Sequence, residues 1–143
     1  MIIDSSALII FAKINKLEIL TKLYGDLQVT RNIYNEVVER GIELNVYDAK
    51  IIKDFVDNKK INVIILNEKY TAFSNELMLL FPQLDLGESE AISLCLQEKK
   101  NILVMDEHEG RKVAKLYKIR PIGSLRILLE LYKKEIINEK ELD

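Results

Sequence analysis

Cysteine and histidine are nearly absent: among 143 residues, Cys95 and His108 stand alone. A single cysteine forms no internal disulfide, and Cys95, inside Ala91-Ile92-Ser93-Leu94-Cys95-Leu96, reads as a buried apolar residue. One Cys and one His supply no nitrogen and sulfur ligand set for zinc. The same scarcity argues against a Ser-His-Asp triad, and His108 reads as an exposed helix residue rather than a base. The glycine-rich phosphate cradles of the P-loop and GxGxxG types are missing. Long apolar runs are missing too, since none approaches the roughly 18 residues of a membrane span. Asp4 interrupts the first apolar stretch, which has neither the basic lead nor the small-residue cleavage site of a secretion signal. A cytoplasmic protein away from the membrane is therefore expected. No repeat, low-complexity tract or linker breaks the chain, so one domain over residues 1–143 with a single core is expected.

Positive charge is not in excess either. A formal net charge of −2 and a pI near 5.6 exclude a protein that coats DNA non-specifically, which needs a clustered positive field. The total conceals an asymmetry. From Arg111 to Arg126 the chain carries Arg111, Lys112, Lys115, Lys118, Arg120 and Arg126 with no acid among them. This stretch reads either as a solvated helix face or as a local phosphate-binding patch.

Apolar runs of strand length alternate with longer segments of helical period, the pattern of βα units on a mostly parallel sheet. Strands are expected at Ile2–Asp4, Leu27–Thr30, Ile61–Leu66, Ile102–Asp106 and near Arg120–Ile122. Ser5–Lys13 and Lys16–Tyr24 read as helical with a break around Asn15, and Gly25-Asp26 makes the next turn. Thr30 suits the N-cap of a helix over Arg31–Arg40, with Gly41 as its C-terminal stop. Leu44–Asn58 forms a further helix whose inward face would carry Tyr47, Ile51 and Phe55, flanked by Ile52 and Val56. Tyr70–Phe81 is helical in pattern and stopped by Pro82, and Glu107–Tyr117 is the next helix. Leu125–Tyr132 is apolar almost all round, as expected of a helix buried on more than one side, in the core or in a subunit contact.

Four carboxylates stand out by position. In open α/β sheets ligands collect at the carboxyl ends of strands. The runs Ile2-Ile3-Asp4-Ser5-Ser6 and Ile102-Leu103-Val104-Met105-Asp106 each end a strand in an acid. Each acid reads either as the N-cap of the next helix or as part of a site. Glu36, taken alone, reads as a solvated helix residue. Glu88 has two readings. Asp85-Leu86-Gly87-Glu88 has the form of a capping box. On a helical wheel Ala91, Ile92, Cys95 and Leu96 mark the inward face, with Glu88 near its centre and Glu90 outside it, beside Leu94. An inward carboxylate needs a partner, which the cap backbone or a cation supplies. Converging carboxylates repel and raise each other's pKa unless positive charge intervenes. A hard divalent cation such as Mg²⁺ or Mn²⁺ takes oxygen ligands and keeps waters. It can activate one of those waters for in-line displacement at phosphorus.

With these residues in view the chain resembles PIN-domain proteins, and within them the prokaryotic DUF3368 branch, similar to VapC-type toxin ribonucleases. The likeness is carried by the strand ending in Asp4-Ser5-Ser6, by Ile33-x-x-Glu36 and by Gly87-Glu88-x-Glu90-Ala91-Ile92. It continues through Asp106-Glu107-x-x-Gly110-Arg111-x-Val113-Ala114 to Ile122-Gly123-Ser124-Leu125, spanning nearly the whole chain. Four motifs in order are fairly specific. The resemblance implies a three-layer α/β/α domain whose parallel sheet, of order 3-2-1-4-5, is flanked by helices. The strands ending in Asp4 and Asp106 are neighbours in that order. It also implies a ribonuclease dependent on Mg²⁺ or Mn²⁺, often a homodimer and often inhibited by an antitoxin protein. The family's catalytic, metal-holding acids map onto Asp4, Glu36, Glu88 and Asp106, and Ser6 matches the hydroxyl that helps hold the metal water. Glu88 is preferred to Glu90 because its spacing of 18 to Asp106 suits the pattern and the helical wheel agrees. Glu107 is the fallback for Asp106. Arg111, Lys112 and Lys115 would guide the RNA backbone. Two positions depart from the pattern: Arg31 stands where many relatives have Pro, and Glu at the third acid, where many have Asp, lengthens one ligand arm.

The leading expectation is thus a metal-dependent endoribonuclease that hydrolyses RNA phosphodiesters, with the toxin of a toxin–antitoxin pair as its setting. The acidic pI and modest basic patch motivate the alternative, a catalytically silent PIN-like module that holds RNA or a protein partner. A phosphotransfer enzyme of the haloacid-dehalogenase type also starts from a strand-end Asp. It needs a second Asp two positions on, where this chain has Ser6.

Overall fold

Short aliphatic runs buried on both faces form a parallel sheet whose strands are joined through helices. The computed structural model describes residues 1–134. Its strands are β1 (Ile2–Ile3), β2 (Leu27–Thr30), β3 (Ile61–Ile64), β4 (Ile102–Val104) and β5 (Arg120–Ile122). They pair in parallel as one five-stranded sheet of order β3-β2-β1-β4-β5. The helices are α1 (Ser5–Lys13), α2 (Leu17–Tyr24), α3 (Arg31–Tyr34), α4 (Arg40–Glu43) and α5 (Tyr47–Asp57). They continue with α6 (Glu68–Leu80), α7 (Leu86–Gln97), α8 (His108–Leu116) and α9 (Ser124–Lys133). The result is the three-layer α/β/α arrangement implied by the resemblance.

Strand alternation divides the core in two. Ile3 and Val104 pack with Phe11 of α1, Leu20 of α2, Ile52 of α5 and Ile127 of α9. Ile2, Leu103 and Met105 pack on the opposite face with Leu77 of α6, Ile92 of α7 and Val113 of α8. Register then fixes the acid that follows β1. Ile2 lies opposite Leu103 and Ile3 opposite Val104, and the Asp4 N–H donates to the Val104 carbonyl at 2.9 Å. Asp4 therefore sits at the carboxyl end of the central strand.

Several local expectations need correction. Thr30 caps α3 as its sequence suggests, its hydroxyl oxygen accepting from the Ile33 N–H at 3.3 Å. The helix does not stop at Gly41, however. After Tyr34 it widens into a π-helical turn over Asn35–Glu39 and resumes as α4. Gly41 serves close packing instead, because a Cβ there would lie 2.6 Å from the Ala49 Cβ of α5. The turn between these helices falls on Asn45, in the left-handed region at φ 56°. That approach turns the Ala49 and Ile52 face of α5 inward, so Tyr47 is 74% exposed rather than inward. Ile51 and Phe55 are only partly buried. β3 ends at Ile64, short of Leu66, because Asn67 already caps α6 by accepting from the Tyr70 N–H at 3.0 Å. On α9, Ile127 and Leu131 are buried, but Leu125, Leu129 and Tyr132 are exposed, so within this chain the helix is buried on one side. Cys95 is fully buried, and burial pushes its thiol pKa up to about 12, which suits an inert apolar role. Among the described residues no helix is long and apolar enough to cross a membrane.

Gly41→Ala must separate α4 from α5 and is expected to destabilise the fold by about 1–3 kcal/mol. Urea unfolding should show a lower midpoint at unchanged slope. An unaltered midpoint would mean that the α4–α5 contact yields at no cost.

Candidate active site

Asp4 occupies the N-cap position of α1, yet its side chain makes no cap hydrogen bond. It is 3% exposed, and its Oδ1 is buried without a protein partner. Two residues on, the Ser6 hydroxyl is likewise buried and unpartnered. Loss of water pushes the Asp4 pKa up to about 6, against the pull of the Ser5 backbone N–H. Asp85, Glu36 and Glu107 add to the rise through their like charge. These three acids come from three separate segments. Asp85 is the one that sequence reasoning placed only in a cap.

Glu88 completes the capping box read from the sequence. Its backbone N–H donates to Asp85 Oδ1 at 2.7 Å, and its Oε1 accepts from the Asp85 N–H at 3.3 Å. The cap uses one carboxylate oxygen. The other, Oε2, lies against α8, where a side chain on Gly110 would come within 3.1 Å of it. Burial first, then the charges of Asp85 and Asp4, push the Glu88 pKa up to about 7. Cap and site are therefore compatible uses of this residue.

The helical wheel separated Glu88 from Glu90 too cleanly. α7 is enclosed all round, with Glu88, Ser89, Glu90, Ala91, Ile92, Ser93, Leu94 and Cys95 all buried. Glu90 is held by Asn32 of α3, whose Nδ2 donates to its two oxygens at 3.0 and 2.9 Å. Burial raises the Glu90 pKa and the Asn32 amide partly offsets it. Asn32 has no signal in the sequence, because it reaches Glu90 across 58 residues.

At the end of β4 the two adjacent acids behave differently. Asp106 does not cap α8. Its Oδ1 accepts from the Ser124 N–H at 2.7 Å and its Oδ2 from the Ser124 hydroxyl at 2.6 Å, at the start of α9. Glu107 precedes α8 without a side-chain cap bond. Glu36 is exposed on the π-helical turn, a kind of distortion frequent at functional sites.

The basic stretch is dispersed. Arg111 Nη1 donates to the Met105 carbonyl at 3.1 Å, close beside the acids. Lys112 lies 3.8 Å from Glu109 and Lys115 is exposed. Arg120 and Arg126 instead line a cavity with Met1, Tyr24 and Ile102, at the end of the sheet where the strands begin. His108 is exposed, as its sequence context suggests.

A family profile described as a PIN domain, DUF3368, matches residues 1–142. The chain belongs to the PIN-domain family. Among curated proteins no relative matches it. PIN domains are nuclease-type folds that act on nucleic acids and generally use divalent metal ions. In this PIN domain, no three His, Cys, Asp or Glu side chains among the described residues stand ready to hold a metal ion. The donor chemistry nonetheless fits a hard cation. Asp4 Oδ1 and Ser6 Oγ are buried oxygens without a protein partner, and the like charge of Asp85, Glu36 and Glu107 bears on Asp4.

The raised pKa values fix the sign of a pH effect in this PIN domain. Asp4 and Glu88 hold protons more tightly folded than unfolded, so their contribution to stability is complete below about pH 4. It is lost as pH rises through about 6 for Asp4 and about 7 for Glu88. In chelator, Asp4→Asn is expected to match the wild type near pH 4 and exceed it by on the order of 2 kcal/mol near pH 8. Thermal unfolding across that range checks this. A variant that loses stability toward pH 8 would contradict it.

Proposed function

We propose that this PIN domain is an endoribonuclease that hydrolyses RNA phosphodiesters with Mg²⁺ or Mn²⁺ held by its carboxylates. The observation that carries the reading is Asp4: buried, with one oxygen unpartnered, its pKa pushed up to about 6 by burial first and neighbouring acids second. Asp4 is the central ligand, Glu88 and Glu36 are further catalytic acids, and the β4 end supplies the fourth through Asp106 or its neighbour Glu107. Ser6 offers its hydroxyl to a water of the site. The cation, when bound, supplies Lewis acidity at phosphorus and lowers the pKa of water. Binding it displaces protons from Asp4 and Glu88, so affinity rises with pH across the range where they ionise. Glu88 Oε2, free of the cap and near neutral in pKa, is placed to take or return a proton. Arg111, Lys112 and Lys115 on α8 guide the RNA backbone in this reading, which the closeness of Arg111 to the end of β4 supports.

As the toxin of a toxin–antitoxin pair the chain would be restrained by a protein partner. Two apolar surfaces suit such contacts. The outer face of α9, with Leu125, Leu129 and Tyr132 exposed, suits a homodimer. The groove beside Glu36 lined by Ile9, Val37, Leu44 and Val46 suits an antitoxin. A silent binding module is the second reading, favoured by the absence among the described residues of three acids already set around a metal.

Incubation of the purified chain with labelled RNA separates the two. The nuclease reading expects cleavage in Mn²⁺ that chelation or Asp4→Asn abolishes. Equal cleavage by the Asn variant would sink the mechanism, and RNA binding without turnover in either metal would establish the silent module.

A further inference from the structure

Asp106 and Glu107 are adjacent in sequence, yet the fold directs them to different neighbours. β4 lies between β1 and β5, and along extended chain successive side chains alternate between faces. Val104 packs in the core that contains α9, and Met105 in the core that contains α7 and α8. Asp106 repeats the Val104 direction and meets Ser124, the first residue of α9, which takes both of its oxygens. By the same alternation Glu107 follows the direction of Met105. Its backbone is still extended, at φ −65° and ψ 129°, and its carboxylate is not consumed by capping α8. Asp4, extended at φ −80° and ψ 161° two residues after Ile2, takes the same direction, since Ile2 packs in the core that contains Met105.

The junction is pinned from both sides. Arg111 Nη1 holds the Met105 carbonyl at 3.1 Å, one residue before Asp106. Gly123 closes over the same loop: a Cβ there would stand 3.2 Å from Arg111 Nη1 and 3.3 Å from Asp106 Oδ1. Ser124 itself is buried. These bonds leave Asp106 little freedom to turn away from α9.

We infer that Ser124 is a positioning residue that commits Asp106 to α9 and thereby presents Glu107 as the β4-end carboxylate facing Asp4 and the cation. The inference rests on the nuclease reading and refines it: of the two adjacent acids, one anchors a helix and the other serves the site. Asp106 then acts on the cation only through the position it gives Glu107.

The test is Mn²⁺ affinity by calorimetry, read beside the thermal midpoint in chelator. Glu107→Gln is expected to weaken Mn²⁺ about tenfold or more and to leave the chelator midpoint unchanged or higher. Asp106→Ala loses both anchor bonds and should weaken Mn²⁺ about tenfold. Asp106→Asn can keep both, its amide oxygen accepting from the Ser124 N–H and its amide N–H donating to the Ser124 hydroxyl, and should bind Mn²⁺ nearly as the wild type does. Ser124→Ala loses only the hydroxyl bond and should weaken Mn²⁺ by less than Asp106→Ala. Glu107 is exposed, so its variant remains decisive even if the anchor variants fail to fold. Wild-type affinity in Glu107→Gln would overturn the inference. So would an Asp106→Asn loss as large as that of Asp106→Ala, which would make Asp106 itself a ligand. A wild type that takes up no Mn²⁺ would instead remove the nuclease reading on which the inference rests.

Discussion

A carboxylate that has lost its water and gained no partner for one oxygen sits at the end of the central strand. The like charge of acids from other segments raises its pKa further. Asp85 comes from the entry to α7, Glu36 from the π-helical turn and Glu107 from the end of β4. Repulsion of this kind opposes folding, and Asp4 Oδ1 finds no hydrogen-bond partner among the described residues. The surrounding fold has to hold these acids together against their own field. Sites that bind cations carry such stored repulsion, because the cation is what relieves it.

The parallel sheet provides the frame. With β1 in the middle and β4 beside it, their carboxyl ends bring Asp4 next to the β4 acids, and α7 enters on the same face. Individual acids are then steered by hydrogen bonds that leave part of their capacity open. Glu88 gives one oxygen to the capping box and keeps the other free of it. Both oxygens of Glu90 accept from the Asn32 amide nitrogen. Asp106 is engaged by Ser124 at the root of α9. Capping and anchoring are thus the means by which a cluster of like charges acquires a defined geometry.

Much of this was legible in the chain itself, though unevenly. Two strands ending in acids, the Thr30 cap and the Asp85–Glu88 capping box are local patterns, and local hydrogen bonding realised them. The order of the strands came from the family likeness, since periodicity alone does not decide which strands pair. What stayed hidden depends on long-range contact. The like-charge effect of Asp85 on Asp4, the Asn32–Glu90 clamp and the Ser124–Asp106 anchor join residues far apart in sequence. The basic stretch looked like one patch because sequence proximity is not spatial proximity. Arg111 turns toward the acids, whereas Arg120 and Arg126 lie at the opposite end of the sheet. The faces of α5 and α7 were misjudged for one reason: a helix wheel does not register a second neighbour, here α4 at Gly41 and α3 at Asn32.

The central claim is that the unpartnered oxygen of Asp4 is the seat of a divalent cation. Anomalous scattering from a crystal soaked in Mn²⁺ tests it most directly. A peak is expected about 2.1 Å from Asp4 Oδ1, with Glu88 or Glu107 drawn toward it. Full Mn²⁺ occupancy elsewhere, with Asp4 Oδ1 bonded only to water, would contradict it.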